Sequence, residues 1–322
     1  MSFSVDHLAS NILTRDFLIA FFVCHIALTC GKFLRSQLHS RHVRATRRRR
    51  AALARESARR SIKTMAEDVR TAREKVPSET ESLFRLPIAV VAKRVRGSQS
   101  AAKALLLDVI GRALKSTQQL NCCTTFIGPF SQLQSDMVAS FTTAEKQHQR
   151  AGLLQGLPVS IKECFDVKGQ DTTVGKGSRA GSPAGADAAI LTVLRAQGAV
   201  VFARTNVPQT MLSYECSNPV YGQTRNPFDL TRGPGGSSGG EGALLGSGGS
   251  LLGIGTDIGG SCRIPAAFSG CCGFKPTSGR LSAKGAVPGT PGQESIKSTP
   301  GPMVNRKDAA AAAAAQCRHH HS

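Results

Sequence analysis

The chain has 322 residues, with 41 Lys plus Arg against 21 Asp plus Glu and a formal net charge of +20. That length supports at least one full-size core and excludes a small disulfide scaffold, while 40% hydrophobic and 19% charged residues exclude a wholly disordered chain. The ten cysteines form no C-x-x-C pair and have no histidine at metal spacing, so reduced thiols in a cytoplasm-facing domain are expected and no metal site is.

The first predicted element is the apolar run 17–34, which as a helix spans roughly 27 Å at 1.5 Å per residue, barely enough for a bilayer. Residues 1–16 carry Arg15 against Asp6 and Asp16, whereas residues 32–75 carry 15 Lys plus Arg against 4 Asp plus Glu. A secretory signal peptide puts its positive charge before the apolar run, and here the charge follows it. Since the positive flank stays cytoplasmic, the expected order is a tail outside (1–16), one transmembrane anchor (17–34) and the rest in the cytoplasm. A buried or interfacial helix is the competing reading of the run.

Residues 35–120 read as a basic, helical, membrane-proximal region. Within it, 44–75 is rich in helix formers and free of proline, which predicts one long helix. That stretch has no Phe, Tyr or Trp among its cations, so nothing in it reads bases and no nucleic-acid partner is expected. Anionic headgroups are the better match, at about 1 kcal/mol per cation near the surface. From 78 to 150, short apolar patches alternate with basic and hydroxyl residues, predicting helices that pack on a later domain.

After residue 150 glycine and serine become frequent. Residues 157–161 read as a strand ending at Lys162. Residues 187–197 read as a helix stopped by Gly198, and 199–203 as a buried strand, so an α/β layered domain is expected. Two glycine-rich segments, 233–242 and 253–265, frame Ser237 and Ser261. Glycine lets backbone N–H groups converge on one developing negative charge, and the interleaved leucines argue against flexible linkers.

A phosphate-binding loop needs Gly-Lys-Ser/Thr after its glycines, and Glu241 stands where the cation belongs. The G-x-S-x-G elbow matches 235–239 and 236–240, but its triad needs a later histidine and only His319, His320 and His321 follow. A serine hydrolase with a lysine base remains, with Lys162 as the candidate. Ser237 and Ser238 are adjacent, and spacing alone does not choose between them. Asp257 and Arg263 are expected to pair and brace the second loop, and Cys262 to fill volume.

Lys162, Ser237 and Ser261 lie 75 and 24 residues apart, within Pro158-Val159-Ser160-Ile161-Lys162-Glu163, Pro234-Gly235-Gly236-Ser237-Ser238-Gly239-Gly240 and Gly255-Thr256-Asp257-Ile258-Gly259-Gly260-Ser261. With Thr205-Asn206-Val207-Pro208-Gln209 and Cys272-Gly273-Phe274-Lys275-Pro276-Thr277, these motifs resemble the amidase signature family over about 121–303, and within it the membrane-anchored branch that hydrolyses long-chain fatty acid amides. The resemblance implies a mixed twisted sheet flanked by helices. It makes Ser261 the nucleophile, Ser237 a bridging serine in a cis peptide and Lys162 the base. It also assigns the oxyanion donors to Ile258, Gly259, Gly260 and Ser261, and a substrate contact to Met211. It implies a lipid amide substrate, no cofactor, a homodimer and an endoplasmic-reticulum-like membrane. For Lys162 to act as a base near pH 7 its amine must be neutral, which costs about 4 kcal/mol against an ordinary value near 10.4.

Residues 304–322 hold seven alanines and the histidine triplet, a low-complexity tail. Because the resemblance stops near 303, the expected domain is incomplete at its carboxyl end. An open sheet edge and a catalytically silent, membrane-bound binding or dimerisation partner are then the alternative to an enzyme.

Overall fold

Apolar side chains recur seven apart at Ala51, Ala58 and Met65, with Val69 one turn further, and this stripe is buried. It belongs to the second half of helix α1, Val5–Arg73. The computed structural model describes residues 5–74, 83–146, 151–289, 292 and 295–305. The chain divides into two units, 1–49 and 50–322. The separate anchor and basic helices expected from sequence are one continuous α1, for no proline interrupts residues 5–73 and the lone Gly31 is tolerated. Among the described residues no helix is long and apolar enough to cross a membrane. The expected anchor falls mostly on side chains outside the described residues, those of 17–27, 30 and 31. Most of the alanine and histidine tail, 306–322, lies outside them as well.

In the second unit, α2 (Ile88–Arg96), α3 (Gln99–Leu120) and α4 (Phe130–Lys146) realise the helices expected between 78 and 150. Ser98 Oγ accepts from Ala101 N at 3.2 Å and caps α3, which ends at Asn121 in the left-handed region. Asp68 of α1 accepts from Phe130 N at 3.1 Å, setting a carboxylate at the start of α4 where the helix dipole favours it. Between these helices lies an element that the helical reading missed, strand β1 (Cys123–Phe126). Its Thr-Thr pair suits a pleated surface, and it is a short edge strand that only a partner stabilises.

The central sheet adds β2 (Pro158–Lys162), β3 (Val200–Thr205), β6 (Leu252–Asp257), β7 (Cys272–Gly273) and β8 (Thr299–Val304), in the order β1-β3-β2-β6-β8-β7. A small hairpin, β4 (Ser217–Asn218) and β5 (Gly222–Gln223), stands apart. Strands β3, β2 and β6 are parallel, and β1, β8 and β7 run antiparallel to their neighbours. This is the mixed sheet flanked by helices that the resemblance implied. Helices α5 (Ala189–Ala196), α6 (Gly239–Gly246) and α7 (Arg263–Ser269) complete the layers. Strand β8 holds two prolines, which argue against a strand in sequence. Pro302 nonetheless fits: its carbonyl accepts from Phe274 N at 3.0 Å, so its missing N–H faces that side and not the ladder with β6.

Candidate active site

Three strand and helix ends carry the residues of the expected relay. Lys162 is the last residue of β2, Ser237 stands two residues before α6, and Ser261 follows β6 on the turn into α7. Lys162 has no exposed side-chain surface, and its Nζ donates to Ser237 Oγ at 2.7 Å and to Thr256 Oγ1 at 2.8 Å. Burial pushes this amine below its ordinary value, while the Cys164, Cys262 and Cys216 thiols and Asp257 pull weakly the other way. No carboxylate lies within salt-bridge distance of it among the described residues. The environment therefore favours the neutral amine.

The adjacent serines now separate. The Gly236–Ser237 peptide is cis, and it is Ser237 that meets Lys162. Ser238 Oγ instead takes up Thr256 N and Thr256 O, each at 3.4 Å, which ties the loop to β6. Ser238 N donates to Ser261 O at 3.1 Å and so joins the two glycine loops. The half-buried Ser261 hydroxyl makes no hydrogen bond to Ser237 in this arrangement, so one link of the expected relay is formed and the other is not.

The second loop is braced as expected. Arg263 Nε donates to Asp257 Oδ2 at 3.1 Å and its Nη2 to Oδ1 at 3.0 Å. Asp257 also accepts from Gly260 N at 2.8 Å and from Cys262 N at 3.0 Å. Burial raises the Asp257 carboxyl, but Arg263 and these two N–H groups outweigh it and hold the group below the usual carboxylate range. Of the four expected oxyanion donors, Gly260 is thus already committed to Asp257. Gly260 has φ of 113°, and a side chain there would meet Ile264 Cδ1 at 2.7 Å.

Met211 sits at the end of a 3-10 turn, Gln209–Met211, half-buried against the main core with φ of 60°. Sequence reasoning missed Thr256, the second partner of Lys162, and the role of Glu241. The buried Glu241 carboxyl accepts from Ser160 Oγ at 2.7 Å and Thr205 Oγ1 at 3.0 Å, and burial pushes it up to about 8. A carboxylic acid beside a strand end was legible only as the absent cation of a phosphate loop. Cys262 is buried, in keeping with a volume-filling role, and Cys122, Cys123, Cys164, Cys216, Cys262, Cys271 and Cys272 are free thiols. Among the described residues no group of three or more His, Cys, Asp or Glu side chains is gathered to hold a metal.

The mixed sheet flanked by helices, with a buried lysine at a strand end held to a serine of a glycine-rich loop, defines an α/β protein. The chain belongs to the Amidase family, whose profile matches residues 104–321, wider at both ends than the span read from the motifs. It is 42% identical over 255 residues to fatty-acid amide hydrolase 1 of Sus scrofa, covering 79% of this chain and 42% of that protein. It is 40% identical over 232 residues to amidase 1 of Gibberella moniliformis, covering 72% and 44%. A solved fatty acid amide hydrolase superposes with a TM-score of 0.70 at 29% identity, over 80% of this chain and 48% of that one. The chain thus spans less than half the length of these relatives.

Proposed function

We propose that this chain is a serine hydrolase of amide bonds in which Lys162, Ser237 and Ser261 act in relay. The observation that carries the reading is the 2.7 Å contact between the buried Lys162 amine and the Ser237 hydroxyl. Neutral Lys162 takes the Ser237 proton while Ser237 takes that of Ser261, and Ser261 Oγ attacks the carbonyl carbon. The carbonyl oxygen gains negative charge and is held by the N–H groups of Ile258, Gly259 and Ser261, each such donor being worth about 3 kcal/mol. The relay then runs backwards: Lys162 returns its proton through Ser237 to the leaving nitrogen, the C–N bond breaks, and water cleaves the acyl-Ser261 ester by the same route. The link from Ser237 to Ser261 forms with substrate in place, as catalytic hydrogen bonds commonly tighten in the Michaelis complex.

The substrate class we propose is long-chain fatty acid amides, N-acylethanolamines and primary fatty amides, cleaved to fatty acid and amine. The 42% identity to a fatty-acid amide hydrolase supports it, and the identity to an amidase from a fungus keeps other amides as the comparison. The test is mass-spectrometric product analysis with oleamide and acetamide. Release of oleic acid that is lost in Ser261→Ala supports the reading, and release from acetamide alone moves the substrate class. A second reading, a silent binding or dimerisation partner, draws on the unmade Ser237–Ser261 bond. Folded protein that releases no product from either amide favours that reading.

From the apolar run 17–34 and the cations behind it we also propose an anchor in an endoplasmic-reticulum-like membrane, with the remainder in the cytoplasm. Carbonate-resistant membrane retention that is lost on deleting residues 1–34 supports it. The homodimer rests on resemblance alone, and sedimentation of detergent-solubilised chain tests it.

A further inference from the structure

Among the described residues, three buried side-chain polar atoms have no hydrogen-bond partner: Thr125 Oγ1, Gln170 Oε1 and Arg204 Nε. All three belong to residues lining one cavity of about 350 Å³, at the small end of ligand pockets. None of the proposed relay residues contributes to it, so this cavity is separate from the candidate active site. Thr125 of β1 and Arg204 of β3 are register partners on adjacent antiparallel strands. Gln170 comes from the loop after β2, and Ala54 and Ser57 of α1 close another side.

Orphaned buried polar atoms are costly, about 1 to 3 kcal/mol each, so three around one space call for an occupant. The rest of the Arg204 fork is spoken for. Its Nη1 donates to Asp171 O, and its Nη2 to Glu163 O at 2.8 Å, Phe165 O at 3.1 Å and Thr172 Oγ1 at 3.1 Å. The side chain is 1% exposed, and Glu163 Oε1 lies 3.9 Å from Nη2. With Glu163 beside the guanidinium and the rest of the fork held by backbone carbonyls and a hydroxyl, the site has no surplus positive charge for an anion. What remains is a donor at Arg204 Nε, an acceptor at Gln170 Oε1 and a hydroxyl that serves as either.

We propose that this cavity binds a small neutral molecule of the amide or urea class. Its carbonyl oxygen accepts from Arg204 Nε and Thr125 Oγ1, and its N–H donates to Gln170 Oε1. Phe126, Pro183 and Tyr221 supply apolar wall for the ligand's hydrocarbon part.

The probe is benzamide, with benzoate as its charged counterpart, followed by saturation-transfer NMR on the full chain carrying Ser261→Ala to prevent turnover. Saturable benzamide binding is expected, with benzoate at least tenfold weaker. Thr125→Val and Gln170→Leu each weaken benzamide about fivefold, the worth of one hydrogen bond. Ser57→Leu, an exposed position on α1, plugs the cavity and abolishes binding without touching the sheet. Circular dichroism melts identify any variant that fails to fold, in which case Ser57→Leu decides. Absence of saturable binding means that the cavity holds water only, and overturns the proposal. So does benzoate binding as well as benzamide, or benzamide binding that all three substitutions leave unchanged.

Discussion

The two glycine-rich segments look alike in sequence and part company at Gly240 of the first and Gly259 of the second. In the segment that carries Ser237, glycine makes room for packing: a side chain at Gly240 would overlap Asn206 N and lie 2.6 Å from Cys122 O, both backbone atoms that cannot yield. In the segment that carries Ser261, Gly259 is exposed, and a side chain there would meet nothing within 4 Å. The first loop is a fixed wall that holds Ser237 against Lys162. The second is a shelf that is open at Gly259 and is held from below by Asp257 through Gly260 N and Cys262 N. Glycine frequency marks both equally, and only the surroundings of each Cβ tell them apart.

The largest expected effect comes from filling the wall. Gly240→Ala should cost about 3 kcal/mol or more, read as a lowered urea midpoint at unchanged slope. Gly260→Ala, on the shelf, forces a side chain into positive φ against Ile264, and about 1 to 3 kcal/mol of lost stability is expected. Gly259→Ala should stay within about 0.5 kcal/mol of the parent. A Gly259→Ala chain as unstable as Gly240→Ala would erase the distinction between wall and shelf.

The loops also titrate in opposite senses. Asp257, under the shelf, is held below its ordinary value, so its contribution is present above that value and is lost as pH falls through the lowered one. Glu241, in the helix behind the wall, is raised to about 8, so its contribution is complete below the ordinary value near 4.3 and is lost as pH rises through about 8. Glu241→Gln should therefore flatten the fall in stability on the alkaline side, and Asp257→Asn the fall on the acid side. Melting curves across pH 3 to 9 separate the two, and the reverse assignment would contradict the burial argument.

Much of this was legible in the chain. The strand ending at Lys162 and the αβ unit at 187–203 announce themselves because a buried parallel strand is a continuous apolar run with a clear stop. Lys162 stood out because lysine was the base left once histidine was excluded, whereas Ser237 and Ser261 took their roles from the resemblance to the amidase signature family. Strand β1 was not legible: four residues between two long helices carry no period. Thr256 and Glu241 were hidden because a hydroxyl or a carboxyl gains meaning from what it faces across the sheet. The commitment of Gly260 N–H to Asp257 was hidden for the same reason, as it depends on loop geometry and not on spacing.

The central claim is that burial makes Lys162 a neutral base for the serine relay, and the direct measurement is the pH dependence of covalent labelling by a fluorophosphonate. Labelling mapped to Ser261 should rise with pH through a midpoint well below the ordinary lysine value of about 10.4, and should fall by about 10²- to 10⁴-fold in Lys162→Met at pH 8. Labelling of folded protein that ignores pH, or that survives Lys162→Met intact, would contradict the account.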